Sequence, residues 1–169
     1  MEMTGLDEKV NVIIEIAVVI TDLDFNVLEE YETAVFQPQS AMDLMDSWCQ
    51  ATHTKSGLVE RVKTGAKLED AEKAIVELIS RHFKADERIV LAGNSVGNDR
   101  RFIDKYMPNF AKRLHYRLID VSSYKEVFRN KYGIQFKKSE NHMAKEDIME
   151  SIKELQTYLS YVQIPSKTE

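Results

Sequence analysis

One apolar run near the start of the chain limits the folds that are open to it. Residues 10–23 read Val-Asn-Val-Ile-Ile-Glu-Ile-Ala-Val-Val-Ile-Thr-Asp-Leu, a segment rich in β-branched side chains. A nearly continuous run of this kind predicts a strand that is covered on both faces, as in a sheet packed between helices. It is shorter than the about 20 apolar residues that a membrane-spanning helix needs. The run therefore predicts a buried strand of an α/β sheet.

Further strand patterns follow this run. Residues 22–26 are typical of a turn, and residues 27–36 are expected to return as a second strand, which makes a hairpin. Short apolar segments at 88–92 and 116–121 predict two more strands. The expected order is strand, strand, helix, strand, helix, strand, helix, helix. This order predicts an α/β fold with a mixed central sheet that is flanked by helices.

Helical periodicity accounts for most of the remaining chain. Thr64 is expected to cap an amphipathic helix, and a second helix is predicted over residues 98–106. Ser122 or Ser123 is expected to cap a third helix, and residues 143–162 are predicted to form the last one. The 169 residues suffice for one domain, which we expect at 1–163, followed by a frayed tail at 164–169.

Charge and cysteine content exclude several classes of protein. The single cysteine, Cys49, excludes an internal disulfide framework. The net charge of −5 argues against a protein that coats long duplex nucleic acid, because such binding depends on neutralising phosphates. The net charge does not exclude a small nucleotide substrate that is held by metal ions. The sequence shows no signal-peptide pattern, and we expect a cytoplasmic protein without a membrane partner. An N-terminal targeting peptide stays open as an alternative, because the start of the sequence looks truncated.

Acidic residues stand beside three of the predicted element ends, where α/β folds place their functional sites. These are Glu2, Asp99, and Asp147 with His142 shortly before it. Carboxylates from separate elements suit Mg²⁺, which prefers oxygen ligands, and two such ions can clamp a phosphodiester. A histidine has a pKa near neutrality and can accept a proton from water. Each acid taken alone is also typical of a solvated residue or of a residue that interacts favourably with a helix dipole. The occurrence of all of them in this order along one chain favours a metal site.

In this order the segments resemble the oligoribonuclease family, which belongs to the DEDDh group of 3′→5′ exonucleases with a ribonuclease H-like fold. The most specific match is Gly93-Asn94-Ser95-Val96-Gly97-Asn98-Asp99-Arg100-Arg101-Phe102. The signature His142-x-Ala144-x-x-Asp147 is less specific. Other matching segments lie at 2–7, 13–17, 55–62, 106–108, 115–117 and 120–122. The resemblance covers nearly the whole chain.

The resemblance implies an enzyme that degrades short RNA of about two to five nucleotides, and dinucleotides especially, to 5′-mononucleotides with two Mg²⁺ or Mn²⁺ ions. It implies Glu2, Asp99 and Asp147 as metal ligands. It implies His142 as the general base on the attacking water. Tyr116 is similar to the active-site tyrosine of the family and is expected to contact substrate across a homodimer interface.

The same resemblance suggests residues that contact the substrate. Leu6 is similar to the residue that wedges against the bases at the 3′ end, and Trp48 and His53 fall in a segment near the substrate. Tryptophan offers a stacking surface for bases, although Trp48 can equally pack in a core. The residues similar to those at the 5′-phosphate end are Ser95, Arg117 and Ser122. For Arg117 the alternative is an ion pair at a surface or an interface.

The chain departs from the family at its first motif. That motif is Asp-x-Glu, whereas only Met1 precedes Glu2 here. The first aspartate and the apolar strand before it are absent from this sequence, so we expect a gap in the sheet and weak activity. Two explanations are open. Either the native protein carries about ten further residues, the length of one long strand and a turn, or the chain is a truncated and inactive paralogue.

Two other functions stay open beside the leading one. A proofreading-type DNA exonuclease would share the fold and the acids, but Trp48 and His115-Tyr116-Arg117 favour an oligoribonuclease. An inactive nucleotide-binding or dimeric scaffold is the non-enzyme alternative. A homodimer is expected from the resemblance. It is also suggested by apolar residues that we expect to lie partly outside the core: Phe102, Tyr106, Met107, Phe110 and Leu114.

Overall fold

The computed structural model describes residues 1–137 and 144–163, and it has the mixed α/β architecture that the sequence predicts. The strands are β1 (Glu2–Met3), β2 (Ile13–Thr21), β3 (Val27–Ala34), β4 (Ile89–Gly93) and β5 (Leu114–Asp120). The helices are α1 (Gln39–Met42), α2 (Ser47–Lys55), α3 (Leu58–Val62), α4 (Leu68–His82), α5 (Gly97–Tyr106), α6 (Pro108–Ala111), α7 (Val121–Tyr132) and α8 (Ala144–Ser160). Within these ranges, none of the helices has the length and apolar character to cross a membrane. The expected tail at 164–169 lies outside the described residues.

The predicted hairpin forms from β2 and β3, which pair antiparallel along nearly their whole length. The turn between them is closed by Asp22, whose carboxylate accepts the backbone N–H groups of Asp24 and Asn26, each at 2.9 Å. Residues 13–17 of β2 are buried without interruption, as the apolar run predicts. The hairpin therefore provides the rigid strand on which the candidate site is assembled.

The main core lies between β2 and the helices α4, α5 and α6. Ile16 and Ile20 of the strand pack there with Ile75 and Ile79 of α4. The apolar residues that we expected partly at the surface lie mostly inside this core: Phe102, Met107, Phe110 and Leu114 are all buried, and Tyr106 is partly buried against them. The predicted apolar surplus is therefore wrong as an argument for a dimer, because these side chains already have partners within one chain.

Two predicted helix caps are also wrong. Helix α4 begins after Lys67 and not after Thr64, because Ala66 is extended and bridges Val35 next to β3. Helix α7 is capped by Asp120, whose carboxylate accepts the N–H of Ser122 at 2.9 Å, so the helix begins before either predicted serine. In both places a contact with another element sets the start of the helix.

Among the described strands, the sheet is divided into two parts. One part has the order β1-β2-β3, and the other consists of β4 and β5, which are parallel. β1 pairs with β2 only at Glu15 and Ile13, so that the edge of β2 beyond Glu15 has no paired strand among the described residues. This arrangement confirms the gap that we expect in the sheet.

A cavity of about 610 Å³ occupies the space between the two parts. Residues 16–19 of β2 form one wall, and Leu91, Ala92 and Gly93 of β4 form another. Helix α8 closes a third side with Ile148 and Ile152. Met1 also lines the cavity, and continuing the Glu2–Glu15 register backwards would set five further residues opposite Ala17 to Thr21. The cavity is therefore lined as a strand position between β2 and β4 would be.

We expect this position to accept a strand joined to Met1. A chain extended before Met1 by four β-branched residues and one aspartate should be more stable than the 169-residue chain. Burial of about three apolar side chains contributes about 1.5–3 kcal/mol each, and about 1 kcal/mol raises Tm by about 2–4 °C, so Tm should rise by on the order of 10 °C. The control replaces the four residues with alternating Pro and Gly, which cannot complete the ladder. Equal Tm values for the two extensions, measured by calorimetry, would contradict this expectation.

Candidate active site

Three carboxylates from three different elements lie at the same cavity. Glu2 is on β1, Asp99 is in the first turn of α5, and Asp147 is in the first turn of α8. All three line the cavity between the two parts of the sheet. These are the acids that the sequence singles out as metal ligands, and the fold brings them to one place although 145 positions separate the first from the last. His142, the expected general base, lies outside the described residues.

The charges of these acids affect one another. Burial raises the pKa of Glu2 to about 7, and the nearby Asp147, Glu15 and Asp99 add to the rise, while the Met1 ammonium opposes it. That ammonium donates a hydrogen bond to Asp99 Oδ1 at 3.1 Å. Burial alone would lower the pKa of the ammonium, but Asp99 and Glu2 raise it above its usual value. The cluster therefore attracts positive charge.

The donor chemistry of the cluster fits a hard divalent cation, since all three side chains offer carboxylate oxygens. In the part of the chain that the structure describes, no three His, Cys, Asp or Glu side chains stand close enough to hold a metal ion as they are. Asp99 is held instead by the Met1 ammonium, which is a buried positive charge. The cluster therefore offers ligands of the right chemistry, and Asp99 pairs with a buried positive charge in this structure.

Leu6 lies on the loop that follows β1, with 63% of its surface accessible. The loop is held by α5, the helix that also carries Asp99. Tyr106 Oη donates to the carbonyls of Glu8 and Asn11, and Arg101 forms an ion pair with Glu8 at 3.3 Å. One helix thus positions both a candidate metal ligand and the candidate wedge. These anchoring contacts were not predicted from the sequence.

Ser95 and Ser122 meet where β4 and β5 end side by side. Their Oγ atoms are 3.2 Å apart, and the N–H of Ser95 donates both to Ser122 Oγ at 2.9 Å and to Asp120 Oδ1 at 3.0 Å. Ser95 has a φ of 49°, a left-handed conformation that non-glycine residues adopt mainly where surrounding contacts enforce it. The two candidate phosphate-end serines are therefore held together by Asp120, which joins the strand ends.

Asn94 connects this pair of serines to α8. Its side-chain amide donates to Ser151 Oγ at 2.8 Å and to Glu154 Oε2 at 3.1 Å, and its carbonyl oxygen accepts from Ser122 Oγ at 3.3 Å. Asn94 and Asp120 both lie in segments that resemble the family, but no role was predicted for either residue from the sequence. The signal was the position of both residues directly at the ends of predicted strands.

The remaining predicted substrate residues differ in exposure. Trp48 is 63% exposed on α2, which argues against the alternative of core packing. Tyr116 is 75% exposed on β5, stacked on His115, and the Arg117 guanidinium lies 5.2 Å from its ring centroid. His53 is only 1% exposed, and its Nε2 lies 3.2 Å from the Met3 carbonyl oxygen, so it supports β1. Contact between His53 and a substrate stays a prediction.

Comparisons with known proteins agree on one kind of relative. The sequence model of a family described as "Exonuclease" matches residues 1–155. Human mitochondrial oligoribonuclease is 46% identical over 164 residues, which cover 94% of this chain and 69% of the human protein. The oligoribonuclease of Aeromonas hydrophila is 46% identical over 168 residues, 96% of this chain and 92% of that protein. The oligoribonuclease of Francisella tularensis is 45% identical over 163 residues, 94% and 90% respectively.

The contacts of Asp120 lead to a prediction about stability. Replacing Asp120 with Ala removes the acceptor for two backbone N–H groups and the cap of α7, which should lower the free energy of unfolding by about 1–2 kcal/mol. Asp120→Asn keeps an amide oxygen in the same place and should lose much less. Urea unfolding followed by circular dichroism measures both variants. A loss of the same size in both would mean that the charge matters and not the acceptor.

Proposed function

Because the chain belongs to the oligoribonuclease family of exonucleases, we propose that it hydrolyses short RNAs from their 3′ ends and releases 5′-mononucleotides. Its fold is the ribonuclease H-like fold of that family. The observation that carries the proposal within the chain is the convergence of Glu2, Asp99 and Asp147 on one cavity. Dinucleotides are the proposed preferred substrates.

Exonucleases of this family generally use divalent metal ions. We infer that Glu2, Asp99 and Asp147 hold two of them, Mg²⁺ or Mn²⁺. When bound, such ions polarise the phosphodiester and make water a stronger nucleophile near neutral pH. Burial raises the pKa of Glu2 to about 7, and a nearby cation would favour the charged form of this carboxyl group.

The other proposed residues hold the substrate. Leu6 packs against the terminal base at the 3′ end, and Trp48 offers a face for stacking. Ser95 and Ser122 present two hydroxyl groups to the 5′-phosphate end, where Arg117 adds positive charge. His142 accepts the proton of the attacking water. A substrate held at both ends by a few contacts does not require a long basic surface, which agrees with the net charge of −5.

A homodimer is also part of the proposal. Among the described strands, β5 pairs only with β4, so its other edge is open to a second chain. β5 and the helix that follows it, α7, carry exposed apolar side chains: Tyr116, Ile119, Tyr124, Val127 and Tyr132. A two-fold interface there would bring Tyr116 and Arg117 towards the site of the partner. A cytoplasmic location stays a prediction of the sequence.

The non-enzyme alternative is a scaffold that binds short nucleotides without cleaving them. Binding of a diribonucleotide without release of mononucleotides would distinguish this scaffold from the enzyme.

Substitution of the acids tests the enzyme. With a 5′-labelled diribonucleotide and saturating Mg²⁺ or Mn²⁺, Asp99→Asn and Asp147→Asn should each abolish mononucleotide release, since each removes charge that the metals need. His142→Ala should lower the rate by about 10²–10⁴ and leave dinucleotide binding nearly unchanged. Asp86→Asn, in an exposed loop, is the control and should have no effect. Full turnover in both acid variants would refute the assigned ligands.

Sedimentation velocity tests the dimer. The chain should sediment at twice its mass of 19.5 kDa at micromolar concentration. Tyr116→Ala and Val127→Glu, on the exposed face of β5 and α7, should shift it to the monomer, because a charge or a lost ring disrupts an apolar interface. Leu23→Glu, at the exposed β2–β3 turn, is the matched control and should leave the mass unchanged. A monomer in the unsubstituted protein would exclude this interface.

A further inference from the structure

We propose that Glu15 is a positioning residue that sets the first turn of α8, and therefore Asp147, relative to Glu2. This inference rests on the proposed function, because it concerns the same site. Glu15 is fully buried in the middle of β2, which is an unusual environment for a carboxylate. It is paired directly with Glu2 in the β1–β2 ladder. A charged group in this position requires partners that compensate for its burial.

Each oxygen of the Glu15 carboxylate has such a partner. Oε2 accepts the backbone N–H of Ala144, the first residue of α8, at 3.2 Å. Oε1 accepts a hydrogen bond from the Arg61 guanidinium on α3, and Arg61 also lies 4.0 Å from Glu32 on β3. The first N–H groups of a helix have no partner within the helix and carry partial positive charge, so a carboxylate there satisfies both requirements.

The consequence for the site is geometric. Asp147 lies three residues after Ala144, so the turn that bears this candidate ligand is the turn that Glu15 holds. The next turns of α8 are held separately, by Asn94 at the end of β4 through Ser151 and Glu154. Glu15 thus connects α8 to the strand that also pairs with Glu2. One buried carboxylate thus links the elements that bear two candidate metal ligands, and in the same turn of α8 Lys145 forms an ion pair with Glu30 of β3.

If Glu15 only stabilised the fold, its removal together with Arg61 would affect the site no more than the removal of another ion pair. Buried ion pairs often contribute little net stability, and a pair of apolar residues of similar volume often replaces them without loss. The double variant Glu15→Leu/Arg61→Leu removes both charges and leaves no unpaired partner of the pair. We therefore expect the double variant to remain folded although the first turn of α8 has lost its acceptor. An effect on the position of this turn can then be measured apart from an effect on stability.

The experiment compares this double variant with the unsubstituted chain and with Glu29→Leu/Arg81→Leu. Glu29 and Arg81 also form an ion pair, here between β3 and α4, and provide the control. Three quantities are measured: Tm, hydrogen exchange of the Ala144 amide by NMR, and Mn²⁺ affinity by calorimetry. In the Glu15 double variant we expect Tm to change by only a few degrees, Ala144 to lose protection, and Mn²⁺ affinity to fall about 10- to 100-fold. The control should change neither exchange nor affinity.

Unchanged Ala144 exchange together with unchanged Mn²⁺ affinity in the Glu15 double variant would overturn the inference. If the unsubstituted chain binds no Mn²⁺, the proposed function fails, and the exchange of Ala144 alone decides the inference. If the double variant does not fold, Glu15→Gln decides it. The amide of Gln keeps one acceptor for Ala144 but loses the charge, so intermediate protection supports positioning, and full protection with unchanged Mn²⁺ affinity overturns it.

Discussion

The rest of the structure depends on how the backbone of β2 is hydrogen-bonded to its neighbouring strands. A strand buried on both faces must satisfy its backbone groups through neighbouring strands, because water does not reach them. β3 satisfies one edge of β2, and β1 satisfies the other edge only at its beginning. The candidate site lies where this second pairing ends, between the open edge of β2 and β4. The position of the cavity, the acids and α8 all follow from this one incomplete ladder.

The electrostatics of the site arise from the same geometry. Elements that meet at the end of a strand bring their first helical turns together, and acidic residues are favourable in first turns because of the helix dipole. Asp99 and Asp147 are each acceptable in their own helix, but they become mutually unfavourable at a common cavity. A divalent cation placed between them would compensate for this repulsion.

Local sequence patterns predicted the elements of the fold better than the contacts between them. The apolar run of β2 and the turn after it identified the hairpin, because burial and turn chemistry are local properties. The caps of α4 and α7 could not be predicted in this way: several polar residues stand near each start, and the choice depends on Val35 and Ser95 in other elements. Phe102 and Phe110 were expected partly at the surface for the same reason. The periodicity of the sequence shows that a helix face is apolar, but it does not show which other element packs against that face.

The site was predictable to a similar extent. The acids were identified from their order in the chain, because each of them falls in a segment that matches the family and these segments follow one another in the same order. The residues behind them, Glu15 and Asn94, have no distinctive pattern of their own, and only the fold shows that they connect to α8. His53 was placed near the substrate by its segment, whereas its burial under β1 depends on a contact with Met3 fifty residues away.

The exposure of Trp48 has a practical consequence. It is the only tryptophan in the chain, and its indole is largely in contact with water on α2. The emission of an indole depends on its contact with water and on quenching by stacked bases. Indole fluorescence, excited at wavelengths where the seven tyrosines absorb little, therefore comes from one known position. A nucleotide that covers this ring changes the signal directly, whether or not it is cleaved. The chain thus contains its own optical reporter of occupancy, which allows binding to be followed separately from chemistry.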